Sequence, residues 1–61
     1  METYVCKTTV KLSGTLHDAL ENEDVIYNEL INNDGVVYTI YCYKNIAETL
    51  KNKGYSLKLI F

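Results

Sequence analysis

The residues of this chain that could carry out chemistry are few and widely spaced. The only histidine is His17, and the two cysteines, Cys6 and Cys42, stand 36 positions apart. A structural zinc site needs four ligands, and a redox centre of the usual kind needs a second cysteine close by. Neither pattern is present. Free cysteine generally behaves as a small apolar residue, so we expect both thiols to be reduced and buried.

The rest of the inventory argues against catalysis. The sequence pairs no nucleophile with a base and has no glycine-rich phosphate loop. A chain of 61 residues has a thin core and cannot spare much of it for a ligand cleft. We therefore expect a binding protein, not an enzyme, with no cofactor and no metal.

The one unusual cluster of functional groups in the sequence consists of carboxylates. The net charge is −2, but residues 17–34 contain six acidic residues and no lysine. The flanking stretches 1–16 and 35–61 contain all six lysines and only two acids, which leaves them with net charges of about +1 and +3. The acidic residues of the segment are Asp18, Glu21, Glu23, Asp24, Glu29 and Asp34.

Such an asymmetric charge distribution suggests an acidic surface that meets a basic partner. A solvated polar face with no partner is the alternative interpretation, and the sequence leaves both open. Direct binding of nucleic acid is disfavoured, because the chain has six lysines and no arginine, and these are not clustered.

Two parts of the sequence predict secondary structure clearly. Residues 4–12 alternate as a strand that ends at Ser13-Gly14-Thr15, and residues 36–43 are β-branched, aromatic or cysteine throughout. Residues 45–53 predict a helix, with Asn45 as the N-cap, Glu48 as its capping-box partner and Gly54 as the stop. Residues 55–61 alternate again as a final strand.

The middle of the chain fits two patterns. Residues 15–33 can form one long amphipathic helix, since their apolar residues fall on one face. Alternatively, a short helix over 16–23 precedes a hairpin in which residues 25–31 pair with 36–43 around the turn sequence Asn32-Asn33-Asp34-Gly35. Periodicity alone does not choose between them.

Two short segments together resemble a known family. Residues 9–15 read TVKLSGT, and residues 32–35 read NNDG, followed by Tyr38 and Ile40. This pair resembles the small acidic prophage anti-CRISPR proteins that inhibit the type II (subtype A) CRISPR effector nuclease. Val36 and Val37 stand where the family continues with polar residues, and the N-terminal helix and the acidic C-terminal helical region of the family have no counterpart here.

The resemblance implies a hairpin with NNDG as its turn, and hence the short-helix interpretation. The fold prediction is a single α+β domain over residues 1–61, with the order β-α-β-β-α-β and a mostly antiparallel sheet; the alternative is β-α-β-α-β with the helix 15–33. The resemblance also implies a guide-RNA-loaded type II nuclease as partner, in the cytoplasm of the host bacterium. Its pocket for the protospacer-adjacent motif uses arginines, which a carboxylate can bind through two parallel hydrogen bonds.

By motif position, Asp34 is the predicted contact of this acidic, DNA-mimicking surface, presented by Asn33 and Gly35. Charge alone adds Glu29, Asp24, Glu23 and Glu21 as residues that widen it. A second functional class is a small homodimeric structural or interaction module that uses an exposed strand, suggested by the tyrosine-rich stretch 36–43.

Overall fold

The computed structural model describes all 61 residues. It contains four strands and two helices in the predicted order, β-α-β-β-α-β. The elements are β1 (Glu2–Thr8), α1 (Val10–Glu23), β2 (Ile26–Asn32), β3 (Gly35–Cys42), α2 (Lys44–Asn52) and β4 (Leu57–Leu59). Neither helix is long and apolar enough to cross a membrane.

The strands form one sheet in the order β2-β3-β1-β4, in which every neighbouring pair is antiparallel. Each helix therefore connects two strands that point the same way and are separated by a third strand. This double split βαβ arrangement is the ferredoxin-like topology. It places β1 and β3 in the centre and leaves β2 and β4 as the edges.

One face of the sheet is covered by both helices. Alternate residues of β1 and β3 bury their side chains against apolar residues of α1 and α2, so the alternation predicted for the first strand is confirmed over residues 4–8. The core residues are Tyr4, Cys6, Leu16, Ala19, Leu20, Val36, Tyr38, Ile40, Cys42, Ala47, Leu50 and Leu57. The opposite face of the sheet is uncovered.

The first helix is longer than predicted. Residues 9–12, assigned to a strand from their β-branched pattern, instead cap and begin α1: the backbone N–H of Leu12 donates to Oγ1 of Thr9 over 3.3 Å. The reason is the length that the crossover must cover. A seven-residue strand spans about 23 Å, whereas a helix over residues 16–23 would return only about 12 Å and the observed fourteen-residue helix returns about 21 Å.

The hairpin interpretation of the middle segment is confirmed, and the alternative helix over 15–33 is wrong. β2 pairs with β3 along its whole length, from Ile26 opposite Tyr41 to Asn32 opposite Gly35. The chain leaves α1 through Asp24, which adopts a left-handed conformation with φ of 54°. The run Asn22-Glu23-Asp24 therefore marks the end of the helix.

The second helix begins one residue earlier than predicted and is capped differently. Its N-cap is Tyr43, which makes no side-chain capping bond, so the predicted cap at Asn45 with its partner Glu48 is wrong. The predicted stop at Gly54 is confirmed. Gly54 N–H donates to the carbonyl of Lys51 and Tyr55 N–H to that of Leu50, which is the paired pattern of a Schellman motif.

The last strand is shorter than predicted, because only Leu57–Leu59 forms a regular ladder with β1. The backbone of Ile60 and Phe61 still hydrogen-bonds Thr3. Leu57 is buried, but Leu59 and Phe61 on the same alternation are exposed. Of the predicted alternation, only Leu57 belongs to the core, and the half-buried Tyr55 packs against it.

Candidate functional site: the acidic surface of α1, β2 and the hairpin turn

The structure separates the predicted contact residues into two groups at opposite ends of β2. The turn group is Asn33, Asp34 and Gly35, and the helix-end group is Glu21, Glu23 and Asp24. Six residue steps along β2 separate the two ends, which is about 20 Å. The acidic segment is contiguous in sequence, but it does not form one continuous patch in space.

The turn group presents one carboxylate on a well-defined loop. The side chain of Asn32 fixes the turn by accepting a hydrogen bond from the backbone N–H of Asp34 over 2.9 Å. Asp34 itself is exposed, and its carboxylate makes no hydrogen bond or ion pair within the chain. Lys7 lines the same shallow groove but forms no ion pair with it. Asp34 is thus available to an outside donor.

Gly35 is buried beneath this turn and has no direct access to a partner. Its φ is +143°, and a Cβ built on it would lie 2.4 Å from the backbone oxygen of Thr8. Only glycine allows β1 to approach the hairpin this closely. Gly35 therefore positions the turn group and does not itself form contact surface.

The helix-end group sits where its charge is least favourable. The C-terminal end of a helix carries a partial negative charge, which favours lysine or arginine there. The last turn of α1 has no basic residue, and the chain places Glu21, Glu23 and Asp24 at this end. The helix dipole and the carboxylates add to a strongly negative end of the molecule.

Glu29 has a role inside the chain. It lies on the helix-covered side of β2, and its carboxylate accepts a hydrogen bond from the phenol of Tyr38, whose ring is fully buried. Burial and this hydrogen bond both raise the pKa of Tyr38. This contact explains why an acidic residue, Glu29, interrupts the apolar pattern of β2. The hydrogen bond connects the edge strand to the centre of the core.

A second tyrosine is bound in the same way next to the helix end. The phenol of Tyr27 donates to Oε1 of Glu21 over 2.7 Å, and Nδ1 of His17 lies 2.9 Å from the same phenol oxygen. The hydrogen bond to Glu21 raises the pKa of Tyr27 to about 12. The phenol stays protonated at neutral pH, and the cluster holds α1 over β2 without offering a reactive group.

The turn group lines only a small groove, of about 160 Å³, and the larger grooves lie elsewhere. The largest, of about 490 Å³, lies between the end of β1, the start of α1 and the α2–β4 loop, and is lined by Lys7, Thr15 and Lys53 among others. A smaller one of about 240 Å³ adjoins Glu23 and Asp24 and is otherwise largely apolar. Both cysteines are free thiols and buried, and burial raises the pKa of each thiol.

The sequence analysis missed the uncovered edge formed by β2. Ile26, Leu30 and Ile31 are each about two-thirds exposed, although they belong to a regular strand. It also assigned the exposed strand to residues 36–43, but β3 is paired on both sides and has no free edge. The signal for β2 was present in its apolar residues, but its edge position depends on the strand order.

The chain contains no cluster of three or more residues that could hold a metal ion. Comparison with known proteins adds no relative: no family model, no curated protein and no solved structure matches the chain.

Proposed function

We propose that this chain is a non-enzymatic inhibitor that binds a guide-RNA-loaded type II CRISPR nuclease and blocks recognition of its target DNA. The observation that carries the proposal is the absence of lysine partners around the acidic segment. Its only ion pair joins Glu21 to His17, at 3.7 Å. Carboxylates that no lysine neutralises are free to bind cationic groups on another molecule.

Asp34 is the central contact in this proposal. It is exposed at the tip of a hairpin whose turn is fixed by Asn32 and by the close approach of Gly35 to β1. A carboxylate held in this way loses little freedom on binding an arginine fork, and such charge-assisted pairs are among the stronger hydrogen bonds. Arginines that grip guanine edges in the motif-reading pocket are targets of this chemistry.

The helix-end group acts at a distance from that contact. At about 20 Å from the turn, Glu21, Glu23 and Asp24 cannot enter the same pocket as Asp34. They instead extend the negative potential along the molecule and speed encounter with a basic surface. Glu29 supports the strand between the two groups through Tyr38 and makes a smaller direct contribution.

The test is a DNA-cleavage assay with a guide-loaded type II nuclease, combined with a pull-down. Wild-type protein is expected to inhibit cleavage, and Asp34→Asn is expected to weaken inhibition by about tenfold or more, because one charged hydrogen bond is lost. The matched control is Glu48→Gln on α2, which neutralises an exposed acid outside the proposed surface. Equal inhibition by Asp34→Asn and wild type would remove the turn from the interface.

The salt dependence of binding distinguishes the contributions of the turn group and the helix-end group. Neutralising the helix-end group, with Glu21→Gln, Glu23→Gln and Asp24→Asn together, is expected to slow association and to flatten its dependence on salt. Asp34→Asn is expected to act mainly on dissociation. If wild-type protein neither binds nor inhibits the nuclease at low salt, the CRISPR target is wrong.

The second functional class, a homodimeric interaction module, is favoured by a different observation. β2 is a free strand edge with exposed apolar residues on both of its faces. This edge is distinct from the turn group.

A further inference from the structure

The free edge of β2 has little of the usual protection against pairing with another strand. Natural edge strands are commonly guarded by proline, by lysine, by an inward-pointing charge, by a bulge or by short length. β2 has seven residues, IYNELIN, with no proline and no lysine, and it pairs with β3 without a bulge. Its only charge is Glu29, which is hydrogen-bonded to Tyr38.

The uncovered face of the sheet next to this edge carries no charge and is apolar on both sides of one polar pair, Asn28 and Thr39. On β2 it presents Ile26 and Leu30, which are 67% and 64% exposed. Their cross-strand neighbours on β3, Tyr41 and Val37, extend the same apolar strip inward. A monomer leaves this strip in water, together with the unpaired backbone groups of β2.

We propose that two copies of this chain pair through β2, antiparallel about a twofold axis, to form one continuous eight-stranded sheet. The backbone of β2 has free hydrogen-bonding groups at every second residue, as such pairing needs. Asn32 and Gly35 close a two-residue turn, so the even-numbered residues of β2 form backbone hydrogen bonds with β3. The odd-numbered residues direct their N–H and C=O groups outward, toward the free edge.

Charge selects the register. An axis through Glu29 would place this residue directly opposite its own copy, and like charges directly opposite destabilise a strand pair. An axis through Asn28 instead pairs Ile26 with Leu30 of the partner subunit on the uncovered face. On the helix-covered face it pairs Tyr27 with Glu29 of the partner subunit. The second register joins apolar to apolar and avoids the charge conflict.

Salt affects this contact with the opposite sign to the proposed inhibition. Tyr27 holds α1 over β2, so pairing brings the two copies of α1 to the same side of the joint sheet. Each α1 carries Asp18, Glu21 and Glu23 against Lys11 alone, and the copies repel. Screening by salt is therefore expected to strengthen dimerisation, whereas it weakens binding to a basic partner.

The register can be tested with a cysteine placed on the axis. Residues 28 of the two copies would form a non-hydrogen-bonded pair, with Cα atoms about 4.5 Å apart, which suits a disulfide. We expect Asn28→Cys to form a covalent dimer under mild oxidation, while the native Cys6 and Cys42 are buried and do not react. The control is Asn52→Cys, which replaces an exposed asparagine at the end of α2, away from β2.

Sedimentation velocity over a concentration series provides the second readout, with no nuclease present. Wild-type protein is expected to show a dimer that strengthens from low to high salt. Leu30→Lys is expected to raise the dimer dissociation constant by about tenfold or more, whereas Leu59→Lys, at a similarly exposed position on the opposite edge strand β4, leaves it unchanged. Circular dichroism checks that both variants fold.

A monomer at all concentrations and salts overturns the proposal, as does equal cross-linking of the two cysteine variants. Because the nuclease is absent, either result leaves the proposed inhibition standing. A failed cleavage assay likewise leaves the dimer standing.

Discussion

Replacing Gly35 with alanine tests the account of how the hairpin turn is positioned. The added Cβ would lie 2.4 Å from the backbone oxygen of Thr8, where ordinary contacts begin at about 3.4 Å. β1 and β3 must then separate by about 1 Å at their last pair, with loss of one or two hydrogen bonds at about 1 kcal/mol each. The φ of +143° adds a backbone strain of about 1–3 kcal/mol for any residue with a side chain.

The sum is a loss of about 2–5 kcal/mol in the free energy of unfolding. A domain of 61 residues has a total stability of about 3–9 kcal/mol, so Gly35→Ala is expected to remove roughly half of it. Urea denaturation followed by circular dichroism measures the change. If the variant is already partly unfolded without urea, its unfolded fraction at zero urea gives a lower limit for the loss in the free energy of unfolding.

Substitutions at the other two glycines distinguish the effect of steric clash from that of backbone conformation. Gly54 has φ of +103° but nothing within 4 Å of the added Cβ, so Gly54→Ala incurs strain alone, about 1–2 kcal/mol. Gly14 lies inside α1 with open space around it, and Gly14→Ala is expected to stabilise by about 0.5–1 kcal/mol. A loss for Gly35→Ala no larger than that for Gly54→Ala would refute the close approach to Thr8.

Three further outcomes are expected. Thr9→Ala removes the side-chain cap of α1 and should lower the free energy of unfolding by about 1 kcal/mol in urea titrations, whereas no loss would contradict the helix start at this residue. Leu20→Ala, at a fully buried position, should cost about 2–5 kcal/mol by the same measurement. The hydrogen bond to Glu21 raises the pKa of Tyr27 from 10.0 to about 12, so its stabilisation is present below pH 10 and is lost as pH rises through 12. Stability measured between pH 9 and about 12 should therefore fall less steeply in Tyr27→Phe than in Tyr43→Phe, and equal slopes would count against the bond.

The fold was largely predictable where a strand has one buried face. β1 and β3 alternate because one of their sides packs on helices, and this alternation is visible in Tyr4, Cys6, Tyr38 and Ile40. The start of α1 was not predictable from local pattern. Thr9-Val10-Lys11 has strand propensity, but the length of the return path to β2 requires a helix there, and that length is a property of the whole sheet.

The candidate site was less predictable than the fold. The exposed turn at Asp34 follows from local turn chemistry, and the sequence places it correctly in a hairpin. The distance of Asp34 from Glu21 and Asp24 was not predicted. These residues are close in the sequence, but an extended strand runs between them and separates them in space. The free edge depends on strand order, which pairing between β1 and β3 decides.

The position of β1 in the sheet has a consequence for how the chain folds as it is synthesised. β1 is made first, but its two neighbours are β3 and β4, and its pairing with β4 joins Tyr4 to Leu59 from near the two ends of the chain. The β2–β3 hairpin can form from neighbouring residues before β1 pairs with either of its partners. Contacts that span nearly the whole of this sequence slow folding, so a nascent chain exposes the edge of β1 that pairs with β4 until residues 57–59 have left the ribosome.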